Sequence, residues 1–461
     1  MARKKLWGGR FKKEMPESVF AFCKGDSADF ALFGYDVQAS LAHCKALKKA
    51  GILSQAEYKA LTKALSEILV LTPSPRDIEQ EDVHSFVQDL VQQRAGDAYK
   101  KLHTARSRND LVATDSILWI SDLVDKLQMD ILSIEIVLVE KAQQYIDVYM
   151  PFFTHLQDAQ VISVAHYLLS WTEAFEDARF DLTWVDSRLS SPLGACAGAG
   201  SSIPIDVEAL AQEFGDMPIY DNSLFAVSDR SYYLRALFAF ANIAVVLSRL
   251  AEDWILYSSS EFGFLVLPDT HSTGSSIMPH KKNPDVLELI RGRSSRIIGM
   301  LNSMMILMKA QPTAYNRDLQ EDKSILLLAY ILLSNILEVM PSLIKGIEFN
   351  EKALNKALEN DFLYATDIME ELILKGISSR DAHEMLGKLV LACEREKKRL
   401  SELSEEERSQ VLGIHNFTDK QWKGFFDPKS SVMRKKTKNS TSPKSVKSQI
   451  KSWQEFFKDE M

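Results

Sequence analysis

Residues Asp110 to Glu140 read DLVATDSILWISDLVDKLQMDILSIEIVLVE. Within them Ala113, Ile117, Ile120, Val124, Leu127, Ile131, Ile134 and Leu138 recur at alternating steps of four and three. That spacing is a heptad, which keeps one apolar seam on one face of a helix. Between Gly96 and Pro151 the chain has neither Gly nor Pro, so nothing breaks the helix. A helix from about Asp110 to Tyr149 is roughly 60 Å long at 1.5 Å per residue.

Two other segments repeat the pattern. One holds Tyr233, Leu237, Phe240, Ala244, Leu247, Ala251 and Trp254; the other holds Leu287, Ile290, Ser294, Ile297, Leu301, Met304 and Met308. The methionines of the second, with Met305, read as seam packing. A fourth helix is expected from about Ile162 to Leu189. Helices this long exceed the usual three turns and pack as bundles. The expected fold is all-α. A long central helical bundle over 108–360 forms the oligomerisation core, with a smaller N-terminal domain over 1–107 and a C-terminal domain over 361–461.

Composition narrows the function. The 461 residues are 46% hydrophobic and 26% charged, with a net charge of −8. An acidic balance argues against a nucleic-acid or membrane-surface binder. Any anionic ligand must meet local positive groups. Cys23, Cys44, Cys196 and Cys393 form no CxxC pair and read as idle thiols in a reducing compartment. The nine histidines show no zinc spacing, so no metal and no cofactor is expected. MARKKLWGGRF has basic residues with no apolar core behind them, unlike a secretory signal. No run approaches 18 apolar residues, so no membrane span is expected and the default location is the cytoplasm. GACAGAGSS (Gly194 to Ser202) fails the GxGxxG pattern and reads as a tight loop. Arg434 to Lys451 carries seven basic residues and no acidic one; a solvated, amphipathic end is the plainer reading than a nucleic-acid patch.

Four polar stretches sit at the ends of the long helices. GSSIMPHKKNPD (Gly274 to Asp285) ends in Asn283-Pro284-Asp285, a good helix start with Asn at the cap. A loop delivered to a helix N-terminus, with Lys281 and Lys282 in it, is suited to hold an anion beside two hydroxyls. HTARSRND (His103 to Asp110), FFTHLQDAQ (Phe153 to Gln160) and AYNRDLQEDK (Ala314 to Lys323) are dense in donors and acceptors. Each alone could cap a helix. Together they suggest a shared polar site.

GSSIMPHKKNPD resembles the signature loop of the fumarase/aspartase superfamily, whose members are helical-bundle homotetramers that eliminate fumarate from succinyl compounds. Further motifs narrow the resemblance to the argininosuccinate lyase family. They are LWGGRF (Leu6 to Phe11), EDVHS (Glu81 to Ser85), HTARSRND, THLQ, SDR (Ser228 to Arg230), LELIRG (Leu287 to Gly292), AYNRDLQEDK and ATD…KG…AH (Ala365 to His383). The resemblance spans nearly the whole chain. It implies cofactor-independent cleavage of argininosuccinate, a small-molecule substrate, to arginine and fumarate. It also implies a homotetramer, in which sites shared between subunits are expected.

The resemblance places the catalytic serine at Ser275 and the family's second catalytic position at His155. The reading adopted has Ser275 as base and His155 on the acid side, with Glu288 as its orienting partner; the reverse assignment stays open. A serine is a poor base unless its alkoxide is stabilised, which Lys281 and nearby N–H groups can do. Lys281 and Asn283 also suit the carboxylate under attack. Asn109, Thr154, Tyr315, Gln320 and Lys323 match substrate-binding positions, and Ser107, Arg108 and Arg230 join them. Several positions depart from the family pattern. Ala105 replaces Gly and would strain any φ > 0 there. His280 stands where Gln is common, and Arg317 where Lys is common. Gly25 holds the register of an N-terminal serine, which Ser27 can replace. Asn439-Ser440 stands where two glycines are usual. The competing readings are another fumarate-releasing lyase (adenylosuccinate lyase, aspartase or fumarase) and a non-catalytic, crystallin-like homologue.

Overall fold

The computed structural model describes residues 15–460 except 26 and 78. LWGGRF therefore lies outside the described residues. The chain forms two compact units. The first holds Met1–Gln128, Asp181–Asn242 and Ser295–Leu333; the second holds Met129–Phe180, Ile243–Ser294 and Ser334–Met461. Five long helices dominate: Arg108–Gln144, Val164–Asp186, Ser231–Ser258, Asp285–Met308 and Asp322–Gly346. The boundary between units passes through each of them.

The seams are where the heptads put them. All eight positions from Ala113 to Leu138 are at most 1% exposed, as are all seven from Tyr233 to Trp254. Each such Leu, Ile or Phe contributes about 1.5–3 kcal/mol by leaving water. In the Asp285 helix, Leu287, Ile290, Ser294, Ile297 and Met304 are buried, while Leu301 and Met308 are half-buried. That helix also leaves apolar side chains outside the seam. Leu289, Ile298, Met305 and Ile306 are between 43% and 54% exposed.

By length and composition, Ser231–Ser258 and Arg317–Gly346 are apolar enough to cross a membrane. Neither is an unbroken apolar run, and the core helix of a bundle meets the same measure. Few charges interrupt seams this long. The Ser231 helix nevertheless has 61% of its apolar window buried inside the protein, as a bundle core requires.

One correction concerns FFTHLQDAQ. It is not a loop capping a helix but part of an antiparallel hairpin, Tyr149–Thr154 paired with Gln157–Ser163. Aromatic and β-branched residues favour the pleated surface. A second, two-residue pair joins Leu265–Val266 to Glu348–Phe349. Helix resumes at Val164. Near the C-terminus, Ile368, Leu372, Leu386, Leu389, Leu400, Trp422 and Phe425 share one apolar core. The basic segment after it is less free than its composition suggests: Lys435 pairs with Asp367 at 2.7 Å and Glu370 at 2.8 Å.

Ala105 does adopt φ +56°. The left-handed region costs an L-residue roughly 1–2 kcal/mol, and the flexibility a glycine adds to the unfolded chain returns part of that. Ala105→Gly is therefore expected to raise stability by about 0.5–1 kcal/mol. Denaturant unfolding monitored by circular dichroism measures it. An unchanged or lower midpoint would show that the strain is absorbed elsewhere.

Candidate active site

The first unit gathers HTARSRND, EDVHS and AYNRDLQEDK. Ser107 starts the Arg108 helix. Its Oγ accepts the Asn109 N–H at 3.2 Å, and its own N–H donates to Asp110 Oδ1 at 2.9 Å. That reciprocal pair is a helix-capping arrangement. The other Asp110 oxygen accepts N–H groups from Gly194 (3.1 Å) and Cys196 (2.8 Å), which docks the small-residue loop. Burial raises the Asp110 carboxyl to about 6, against the pull of those N–H groups and of Arg106. Asn109 Nδ2 reaches the Ala197 carbonyl at 3.4 Å, and Asn109 is only half-buried.

Arg108 is held by the protein itself. Nη1 donates to Asp82 Oδ2 at 2.6 Å and Nη2 to Ser85 Oγ at 2.7 Å. Charge-assisted bonds of this kind are worth about 1.5–3 kcal/mol each. Asp82 also caps the Val83–Ala95 helix through the Ser85 N–H. EDVHS is thus a hub, and the sequence reading gave none of its residues a role. Glu81 accepts from Arg317 at 2.8 Å. The Val83 N–H donates to Asp29 Oδ2 at 2.8 Å. His84 Nδ1 donates to Asp36 Oδ2 at 2.6 Å and lies 3.5 Å from Asp115 Oδ2. Burial alone would lower the His84 pKa. The Asp36 bond and the charges of Asp36, Asp82 and Asp115 outweigh it and lift it to about 9. The Asp36–His84–Asp115 atoms are close enough together to suggest a metal group. A 2.6 Å contact is a hydrogen bond, however, and ligand atoms about 2.0–2.2 Å from one zinc ion stand farther apart. The protonated imidazole already supplies the positive charge there.

Arg230 and Lys323 are buried. Both bond the carboxylate of Asp322, each at 3.1 Å, and Lys323 lies 3.9 Å from Asp29. Burial would lower the Lys323 pKa, but Asp322 and Asp29 raise it, so it stays charged. Removing either cation would leave one oxygen of the buried Asp322 carboxylate without its partner. Tyr315 is half-buried, and burial raises its phenol. Ser27 is exposed, while the Gly25 N–H donates to the Glu81 carbonyl at 2.8 Å.

The second unit holds His155, Thr154 and the Ser275 loop. The hairpin turns through two residues only, His155 at φ +56° and Leu156 at φ +59°. A two-residue turn with both φ positive normally takes Asn-Gly. His and Leu there are strained, a cost that tends to persist where a side chain must be presented. Thr154, His155 and Leu156 are all exposed. His155 lies beside a cavity of about 730 Å³ walled by Phe153, Tyr257 and Phe262, with Tyr167 donating to Asp253 at 3.1 Å.

The signature loop is pinned at its base. Thr273 and Asn283 exchange backbone bonds, N to O at 3.2 Å and 2.7 Å. Thr273 Oγ1 also bonds the Asp285 carboxylate. The Glu288 N–H donates to the Pro284 carbonyl, so the cap is Pro284, one residue later than the sequence suggested. Asn283 instead turns its amide back to Thr273 Oγ1 at 3.3 Å. Within the loop, Ser275 Oγ accepts the N–H groups of Ile277 (3.3 Å) and Met278 (3.2 Å). Two donors aimed at one hydroxyl oxygen favour its alkoxide. The lysines divide their work. Lys282 is tied to Asp269 at 2.6 Å. Lys281 is exposed and, among the described residues, unpaired. Glu288 is exposed on the first turn of the Asp285 helix, and among the described residues no hydrogen bond joins it to His155.

A serine polarised by backbone donors, in a loop that also carries an unpaired lysine, suits proton abstraction next to a carboxylate. A family pattern described as "Lyase" matches residues 9–299, and one described as "Argininosuccinate lyase C-terminal" matches 362–433. An argininosuccinate lyase of Caldanaerobacter subterraneus subsp. tengcongensis is 40% identical over 432 residues, covering 90% of this chain and 98% of that one. The chain belongs to the argininosuccinate lyase family. A Prochlorococcus marinus argininosuccinate lyase is 38% identical over 458 residues, with 98% of each chain covered. Among solved structures, an EDDS lyase variant with bound fumarate superposes with a TM-score of 0.82 at 23% identity, over 96% of this chain and 89% of that one. That likeness shows a shared fold.

Proposed function

We propose that Ser275 is the base in the cleavage of argininosuccinate to arginine and fumarate, the reaction of the family to which the chain belongs. The observation that carries this is the pair of N–H groups held on Ser275 Oγ. Ser275 takes the proton from the carbon next to a carboxylate. Charge then moves onto that carboxylate as an aci-carboxylate dianion. Lys281 and Asn283 are the groups placed to hold it. His155 assists departure of the guanidinium nitrogen as the acid, with Glu288 as its orienting partner. Thr154, Asn109, Tyr315 and Gln320 bind the substrate. Arg108, Arg230 and Lys323 support the site through their carboxylate partners, and Lys323 adds positive charge. Ser107 caps the helix that presents Asn109. Ser27 stands in for the serine absent at Gly25.

The working form is a homotetramer with shared sites. The Arg108–Gln144 helix is 37 residues, about 55 Å, so its two ends cannot serve one small substrate within one chain. The exposed apolar side chains of the Asp285 helix, and Ile277 at 86% exposure, suit burial by further copies. The division into 1–107, 108–360 and 361–461 follows this plan, as does a cytoplasmic role in arginine biosynthesis. The test is an assay with argininosuccinate, reading fumarate absorbance without added metal or nucleotide. Steady turnover is expected. Fumarate from adenylosuccinate or aspartate but not from argininosuccinate would move the chain to another lyase. A folded protein with no turnover on any would favour the crystallin-like reading.

A further inference from the structure

Arg317 opens a short 3₁₀ turn, Arg317–Gln320. In such a turn, side chains three residues apart eclipse one another. Arg317 therefore stands over Gln320, and its Nε donates to Gln320 Oε1 at 2.9 Å. The other end of the guanidinium is anchored. Nη2 donates to Glu81 Oε1 at 2.8 Å and to the Cys23 carbonyl. The segment before it is stiff, because Asn316 Nδ2 reaches back to the carbonyls of Pro312 (3.3 Å) and Ala314 (3.4 Å).

An amide's oxygen and nitrogen ends are normally hard to tell apart. Here chemistry decides. Guanidinium Nε–H can only donate, so the Gln320 atom facing it must be the carbonyl oxygen. The amide nitrogen then points the other way with two donors. Among the described residues it has no partner. We propose that Arg317 is a positioning residue that fixes Gln320 as a hydrogen-bond donor to the substrate, whose strongest acceptors are its carboxylates. This rests on the reading of Gln320 as a substrate-binding residue.

A lysine at 317 could keep the Glu81 contact, since its ammonium is a point charge on a flexible stem. It has no second donor along the stem to hold Gln320 at the same time. Gln320 would then be free to turn, and part of its population would present oxygen to a carboxylate. The test is a double-mutant cycle of Arg317→Lys and Gln320→Ala, with KM and kcat measured for each. Arg317→Lys alone is expected to raise KM about tenfold, with kcat changed less than about twofold and an unchanged melting temperature. In the Gln320→Ala background the same change should add almost nothing. Equal effects of Arg317→Lys in both backgrounds, or an unchanged KM, would overturn the inference while leaving Gln320 as a substrate ligand. An unchanged KM in Gln320→Ala alone would instead sink the substrate-binding reading of Gln320, and the inference with it.

Discussion

Ser275→Ala is expected to fold as the parent does and to lose at least about 10²-fold in kcat, the usual contribution of a positioned general base. The structural half of this follows from what the hydroxyl touches. Its partners are the Ile277 and Met278 N–H groups. Both residues are exposed in the protomer, so water can satisfy those groups when Oγ is gone. The loop's shape does not depend on Ser275. The Thr273–Asn283 backbone pair, the Thr273–Asp285 bond and the Lys282–Asp269 bridge hold it from below. The kinetic half follows from the same contacts. Removing a base acts on the proton-transfer step and leaves ground-state binding to other residues, so kcat should fall and KM should move little. Circular dichroism, a thermal melt and the fumarate assay together decide it. Activity within a few fold of the parent would remove Ser275 from the chemistry. A large drop in melting temperature would make it a structural residue.

The contrast between the helices and the site shows what a sequence can display. The seams are periodic and local, so Ile120 or Phe240 announces its burial by its neighbours three and four places away. The hairpin was hidden for the opposite reason. His155 and Leu156 occupy a turn that normally calls for Asn-Gly. A turn built against propensity gives no turn signal. Arg230 and Lys323 were hidden by distance. Their shared partner Asp322 makes them buried pairs, and Arg230 lies 92 residues from it. Charges along a chain read as surface or as ligand contacts until the fold brings the counter-charge. Glu81 and Asp82 are similar: their motif was visible, but Arg317 lies 236 residues from Glu81. Lys281 and Lys282 are adjacent and chemically identical. Only the loop's folded path ties one to Asp269 and leaves the other open. Ala105 was legible, because a residue with Cβ in a glycine's place carries its own strain wherever the backbone goes.

The second large effect is a gain rather than a loss. Mixed tetramers of His155→Ala and Ser275→Ala protein are expected to recover about one quarter of parental activity, although each protein alone is inactive. In the protomer, both residues sit on exposed projections, the hairpin tip and the signature loop. A water-exposed histidine and a half-buried serine on a projecting loop do not form an elimination site, which needs donors preorganised away from solvent. Something must cover them. Exposed apolar side chains accompany them, with Leu156 at 68%, Ile277 at 86% and Leu289 at 54%, and in the proposed tetramer a neighbouring copy would cover them. If one chain lends His155 and another Ser275, a site is intact when the histidine donor is the Ser275→Ala chain and the serine donor is the His155→Ala chain. In a random equal mixture each condition is met half the time, which gives the quarter. If both residues come from one chain, no arrangement of the mixture yields an intact site. The experiment dissociates the two variants gently, lets them reassociate, and confirms hybrids by native mass before the fumarate assay. Hybrids that stay inactive would place His155 and Ser275 in the same chain's site and refute sharing between them.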